Sequence, residues 1–267
     1  MRSSIGANAR IFFEGAMLSY RALFSWISPS KYLASKVIGP LAQLAFFTLI
    51  GTFGGSADAT FFVLGNAIHA AAVSGIYGVT MSIAGDRWYG TLAYLFGAPS
   101  NRMVLFFGRS AIHIADGVLG VLLSFGWGML LFGLRLSGPE MARMVVPILA
   151  AVVATCGMGL LMGCIGLITR NVMFVNNTVF FVLLAVSGAN VQLELLPGWI
   201  QAISAWIPLT HAIAAARLVE TGATLSGPVG LLVLRELAIG AIYLSAGYLL
   251  FHRFERRAKA KGSLETM

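Results

Sequence analysis

Six stretches of about twenty residues carry almost no charge: 37–54, 61–83, 105–133, 146–168, 172–190 and 229–251. Runs of that length match the hydrocarbon thickness of a bilayer when helical, and helix satisfies every backbone N–H and C=O without water. Composition agrees. Of 267 residues, 58% are hydrophobic and 10% charged, where soluble domains run near 45–50% and about 25%; mean hydropathy is +0.85. A soluble globular domain is excluded. The 31 glycines, spread through the apolar stretches, suit helices that approach closely in lipid. The fold class expected is an all-α polytopic membrane protein with six transmembrane helices.

Six spans put both termini on one side, and the basic residues say which. Arg2, Arg10, Arg21, Lys31 and Lys36 precede the first run; Arg87, Arg102 and Arg109 surround the second loop; Arg170 lies in the fourth; Arg253, Arg256, Arg257, Lys259 and Lys261 follow the last. That is 14 of the 18 basic residues, against Arg135, Arg143, Arg217 and Arg235 opposite. Both termini are therefore expected in the cytoplasm, and the net charge of +8 is mainly a topological label rather than a footprint for nucleic acid. No compact apolar core leads to a cleavage site near the N-terminus, so no removed signal peptide is expected. Cys156 and Cys164 stand roughly 12 Å apart along one helix, too far to bridge.

Residues 1–30 read as a cytoplasmic interface helix. Ile5, Ala9, Phe12, Ala16, Tyr20, Phe24 and Ile27 recur at three- and four-residue steps, with Arg10, Glu14 and Arg21 elsewhere on the wheel, an amphipathic pattern; a frayed tail is the alternative. Ser28-Pro29-Ser30 breaks it. A short run at 85–99 follows the second span, with Trp88, Leu92, Leu95 and Phe96 on one helical face and Pro99 as its stop. It reads as either a lipid-surface anchor or a docking element for a cytoplasmic partner. Residues 188–228 are too apolar for a solvated loop and too broken by Pro197 and Pro208 to span, which suggests re-entrant or interfacial helices at the outer face; Trp199 and Trp206 would sit at headgroup depth.

In this order the features resemble the membrane subunit of an ABC-2 type export system. The residues that carry the resemblance are the amphipathic N-terminal helix, Asp86-Arg87 with Gly90-Thr91-Leu92 and Ala98-Pro99, Arg170-Asn171, and Ser187-Gly188-Ala189 through Leu196-Pro197 and Pro208-Leu209-Thr210-His211-Ala212 to Arg217. Asp86 stands where the family often has Glu, and Ala93 where an acidic residue is common. The resemblance implies a six-span ABC-2 type transmembrane domain over 31–251, followed by a basic cytoplasmic tail over 252–267. It also implies that 85–99 is a coupling helix seated on an ATPase, with Asp86, Arg87, Trp88, Gly90, Thr91 and Leu92 as the coupling residues. Implied partners are two ABC ATPase subunits, a second copy or a sister permease, and membrane lipid. The location implied is the cytoplasmic membrane of the cell, crossed several times.

The chain holds no G-x-x-x-x-G-K-[ST] loop, so it is not itself a P-loop ATPase. It is expected to bind no cofactor and to be no enzyme, with ATP and Mg on the partner ATPase. Candidate pathway or gate residues are Asn176, Asn177, Thr178, Glu194 and His69, each with a bland alternative. The span-5 trio suits interhelical hydrogen bonds as well as a lining, and His69 suits a bond to a neighbouring helix as well as a substrate. Glu194 is an outer gate contact by position alone. His113 and Asp116, one turn apart, read as an interfacial pair or a proton relay; Arg235 and Glu236 as a structural pair with the re-entrant segment or a substrate site.

The leading expectation is an ATP-driven export permease for a hydrophobic or amphipathic compound, whether drug, antibiotic or lipid-like. A polysaccharide or glycolipid exporter of the same class is the alternative. A gradient-driven transporter using His113 and Asp116 lacks mid-membrane carboxylates and an internal repeat. An intramembrane enzyme lacks H-E-x-x-H, a Cys/His metal set and paired carboxylates.

Overall fold

The computed structural model describes residues 5–26, 28–55, 58–91, 94, 97, 101–167, 169 and 171–261. Every regular element among them is helical. In chain order they are α1 (Ile5–Trp26), α2 (Pro29–Phe53), α3 (Ala59–His69), a π-helical turn (Val73–Gly78), α4 (Val79–Trp88), α5 (Arg102–Phe132), α6 (Gly138–Gly166), α7 (Val172–Val186), a one-turn 3-10 helix (Leu193–Leu195), α8 (Gly198–Ser204), α9 (Thr210–Glu220) and α10 (Pro228–Lys261). Five helical stretches are long and apolar enough to cross a membrane: Pro29–Phe53, Ala59–Arg87, Arg102–Phe132, Gly138–Gly166 and Pro228–Arg256.

The run 172–190 departs from expectation. Its helix α7 has 15 residues, about 22 Å against about 30 Å of hydrocarbon. Local chemistry sets both limits. Asn171 accepts from the Phe174 N–H at 3.2 Å, an N-cap, and at the other end Gly188 turns to φ +83.

Starts are written in the sequence elsewhere too. Asp58 caps α3, Asn101 caps α5, and Ser137 with Glu140 forms a capping box at α6 with Pro139 in the first turn, satisfying amides the helix leaves open.

α6 is the centre of the bundle, packed by α10, by α4 and the π turn before it, by α9 and by α5. Small residues allow this. A Cβ on Gly157 would strike the carbonyl of Gly240 on α10, and one on Gly159 the carbonyl of Gly75 in the π turn, so backbones meet where side chains otherwise would. Cys156 and Cys164 are free and buried on this helix. α2 is the opposite case: Leu33, Ile38, Phe46, Ile50 and Phe53 all face outward.

α1 is a helix that packs along α5, and its buried stripe is rotated from the predicted one. Gly15 is buried, Asn8, Ile11, Phe12, Ala16 and Ser19 are half-buried, and Ala9 is exposed. Gly15 abuts Leu105, and Gly108 abuts the Phe12 backbone. A second apolar strip, with Phe13 and Met17, stays exposed. The side chains of Ile5, Tyr20 and Phe24, and all of Ile27, lie outside the described residues. The shift has a physical reason: Gly15 on α1 and Gly108 on α5 are where the two backbones approach most closely, so the contact line runs through Gly15 beside Phe12 and Ala16.

Candidate functional site

The segment after α4 begins with a turn that the sequence encodes. Gly90 lies at φ +67, the left-handed region that a Cβ disfavours. Its N–H bonds the Arg87 carbonyl at 3.2 Å, and the Thr91 N–H bonds the Asp86 carbonyl at 2.8 Å, the two closing bonds of a Schellman turn. One continuous helix over 85–99 is thereby corrected: 85–88 completes α4, the turn reverses at Gly90, and Tyr94 and Gly97 resume helical backbone. Leu92, Ala93, Leu95, Phe96, Ala98 and Pro99 lie outside the described residues, as does the side chain of Trp88.

Asp86 and Arg87 are engaged within the chain itself. Asp86 Oδ2 accepts from Arg109 on α5 at 2.6 Å, and Arg109 donates also to the Ser82 carbonyl at 2.9 Å. Thr91 Oγ1 donates to Asp86 Oδ1 at 3.0 Å. Arg87 donates to the carbonyls of Leu167 at 3.1 Å and Thr169 at 3.0 Å. A cation there satisfies carbonyls at the C-terminus of α6, where the helix dipole is negative. The loop is thus mounted on α4, α5 and α6 together. Arg170, beside this junction, lies outside the described residues.

Arg109 belongs to a stripe. Arg102, Arg109 and Asp116 stand seven residues apart on α5, so they stack along one face with a drift of about 20° per step. Each pairs with a different helix: Arg102 with Glu255 on α10, Arg109 with Asp86 on α4, Asp116 with Lys36 on α2 at 2.6 Å. Asp116 Oδ2 also accepts from Ser74 in the π turn at 2.5 Å, and Oδ1 accepts from Tyr32. Lys36 donates to Ser74 Oγ at 2.7 Å.

His113 and Asp116, expected as a pair, make their closest contacts with different neighbours. Asp116 sits at the midpoint of α5, its partners are Lys36, Ser74 and Tyr32, and the His113 ring is buried against Gly78. Sequence reasoning missed Lys36 by counting it as a topological charge; the signal was a lysine well inside an apolar helix.

Of the candidate pathway residues, His69, Asn176 and Asn177 gather around α7, with Thr178 beside them. The His69 ring meets Phe180 at 4.7 Å between centroids, and its Nδ1 is 3.0 Å from Gln43 Nε2. Tyr77 packs on Phe180 and donates to Asn177 Oδ1 at 2.6 Å. Thr178 returns its hydroxyl to the Phe174 carbonyl and is exposed. Asn176 is fully buried, with neither amide atom bonded among the described residues. Glu194 stands apart, exposed on its 3-10 turn.

The opposite end is held by two charged groups on backbone. Glu236 of α10, fully buried, accepts from the Leu209 N–H at 2.6 Å, the Ala212 N–H at 3.1 Å and the His211 N–H at 3.2 Å. It thus closes the N-terminus of α9 and holds Leu209 at φ +82. Arg217 of α9 donates to the carbonyls of Gly188 at 2.8 Å and Phe61 at 3.2 Å, over the Phe61 ring. Arg235 is exposed and lies near enough to His211 to act on it electrostatically, so of the expected Arg235 and Glu236 pair it is the glutamate that hydrogen-bonds the 188–228 segment.

The family model of the ABC-2 type transporter matches residues 15–221, a span from within α1 through α9. The chain belongs to the ABC-2 type transporter family. It is a membrane-embedded transport subunit of an ABC transporter, and ABC-2 permeases work with ABC ATPase partners that carry the hydrolysis. Among curated proteins none matches the chain.

Proposed function

We propose that this ABC-2 permease is the membrane half of an ATP-driven exporter that moves a hydrophobic or amphipathic compound, such as a drug, an antibiotic or a lipid-like molecule, outward across the cytoplasmic membrane. Export of a polysaccharide or glycolipid is the alternative cargo within the class. Two ATPase subunits would bind ATP and Mg beneath a pair of permeases, either two copies of this chain or one copy and a sister. In this arrangement α7 crosses together with the segment that follows it, α8 and α9 form the re-entrant outer piece, and both termini face the cytoplasm.

The observation that carries the reading is the mounting of the segment after α4. The Schellman turn at Gly90, the Asp86 pair with Arg109 and the Arg87 cap on α6 tie one short loop to three long helices. A displacement of that loop by a docked ATPase would move α4, α5 and α6 as a set. Trp88 and Leu92 complete the proposed docking face, while Asp86, Arg87 and Thr91 hold it in place. For the gradient-driven alternative, the carboxylate it requires, Asp116, is committed to Lys36, Ser74 and Tyr32, which weakens that reading. Asn176, Asn177, Thr178 and His69 remain the proposed pathway lining around Phe180, and Glu194 the proposed outer gate contact.

The test is coupling. Arg87→Glu and Gly90→Asp are expected to leave a permease that reaches the membrane but no longer exports or stimulates ATP hydrolysis with cargo. Export and cargo-stimulated hydrolysis at wild-type rates in both variants would overturn the proposal. Purification of the chain from its native membrane is expected to bring an ATPase with it.

A further inference from the structure

A cavity of about 250 Å³ lies in the crevice between α2, α3 and α5, lined among others by Lys36, Gly39, Pro40, Gln43, Asn66 and Gly120. Its polar groups have an unusual balance. Lys36 and Asp116 cancel in charge, so the wall beside the cavity is polar and neutral. The ammonium has three N–H bonds; it hydrogen-bonds Asp116 and Ser74 among the described residues and stands 5.8 Å from the Tyr32 ring centroid, a weak contact that leaves the third N–H able to donate. Pro40 lies inside α2 and brings no N–H, so the Lys36 carbonyl loses the helix bond that residue 40 would donate. Gln43 spends its amide Nε2 on Asn66 and His69, and its Oε1 accepts no bond among the described residues. The cavity therefore offers one donor and two acceptors within an apolar helix bundle.

We infer that this crevice is a subsite for the neutral, hydroxyl-bearing head of an amphipathic cargo. A hydroxyl both donates and accepts, so one or two of them meet the Lys36 ammonium, the Lys36 carbonyl and Gln43 Oε1. An ionised head would instead enter beside an already neutral pair with no counter-charge, and a buried unpaired charge is costly. The volume is below the roughly 300 Å³ at which drug-sized pockets begin, so the crevice takes the polar end and the tail lies along the exposed apolar side of α2. Gly39 provides the room: a Cβ there meets nothing within 4 Å. The inference rests on the export reading for calling the ligand a cargo; binding itself is measured without nucleotide, so its failure is separate from a failure of ATP coupling.

The experiment uses the permease with its ATPase in lipid nanodiscs and a photoreactive monododecanoylglycerol as the probe. Labelling without nucleotide is expected on α2 around Gly39 to Gln43. Unlabelled monododecanoylglycerol is expected to compete at concentrations about tenfold or more below those needed for dodecanoate or dodecyltrimethylammonium, which share the chain but carry charge. Gly39→Phe, which fills the space, is expected to abolish labelling at an unchanged melting temperature, and Gln43→Leu to weaken it. Equal competition by all three compounds, preference for dodecanoate, or full labelling of Gly39→Phe would each overturn the inference. Bound probe is expected to leave when ATP is hydrolysed; retention through many turnovers of an active complex would mark a resident bilayer lipid and overturn the assignment to cargo.

Discussion

In the half of the bundle that carries α1 and the α4–α5 turn, charged side chains pair with one another across helices: Lys36 with Asp116, Asp86 with Arg109, Arg102 with Glu255. In the opposite half, Glu236 and Arg217 bind backbone amides and carbonyls. Both arrangements satisfy charge away from water, but they restrain motion differently. A pair of side chains tolerates a small slide of one helix past another. A carboxylate on three amides fixes a helix end to one point, and releasing it opens that end. Arg87 is the exception in the first half, since it bonds the carbonyls after α6 and locks α4 to the centre.

The largest effect is expected from leaving a buried charge without its partner. Asp116→Leu should cost about 3–5 kcal/mol in thermal unfolding, and adding Lys36→Met should recover most of it. If the double variant melts no higher than the single, the pairing is not what holds α2.

Glu236→Leu should cost about 2–3 kcal/mol through three stranded amides, with no second substitution able to restore it. Hydrogen exchange at Leu209, His211 and Ala212 should accelerate selectively; uniform acceleration would blur the distinction between the two halves.

Arg87→Met removes the cation at the α6 terminus and should cost about 1–2 kcal/mol, read as faster exchange in the α6–α7 link. Gly90→Ala should cost about 1 kcal/mol by melting temperature. The smallest change is expected for Tyr77→Phe, about 1 kcal/mol or less, because its bond to Asn177 is exposed.

Much of the local structure is legible in the residues. Five long apolar runs became long apolar helices, and caps at Asp58, Asn101, Ser137 and Asn171 mark where helices start. Gly90, two residues past Trp88, marks the stop of α4 just as plainly. The helix in the run 172–190 is shorter than the run itself because hydropathy averages past Val186 to Gly188, whose backbone turns. The face of α1 is legible in part: Phe12 and Ala16 are half-buried as their spacing implies, while Gly15, which has no bulk to signal burial, makes the close approach. The candidate site was less legible: Asp86 and Arg87 were picked out, but their partners Arg109, Leu167 and Thr169 come from other helices.

The sequence by itself determined that this chain is a helical membrane protein, where most of its helices begin, and that it carries no phosphate loop of its own, because hydropathy, caps and motifs act over a few neighbouring residues. The tertiary structure decided which charges meet. Lys36 and Asp116 are 80 residues apart, and nothing local links them. They pair because α2 packs on α5, with Gly117 and Gly120 of α5 admitting Ser74 and Ala70 close by, and because in an apolar bundle a charge must find the nearest opposite one.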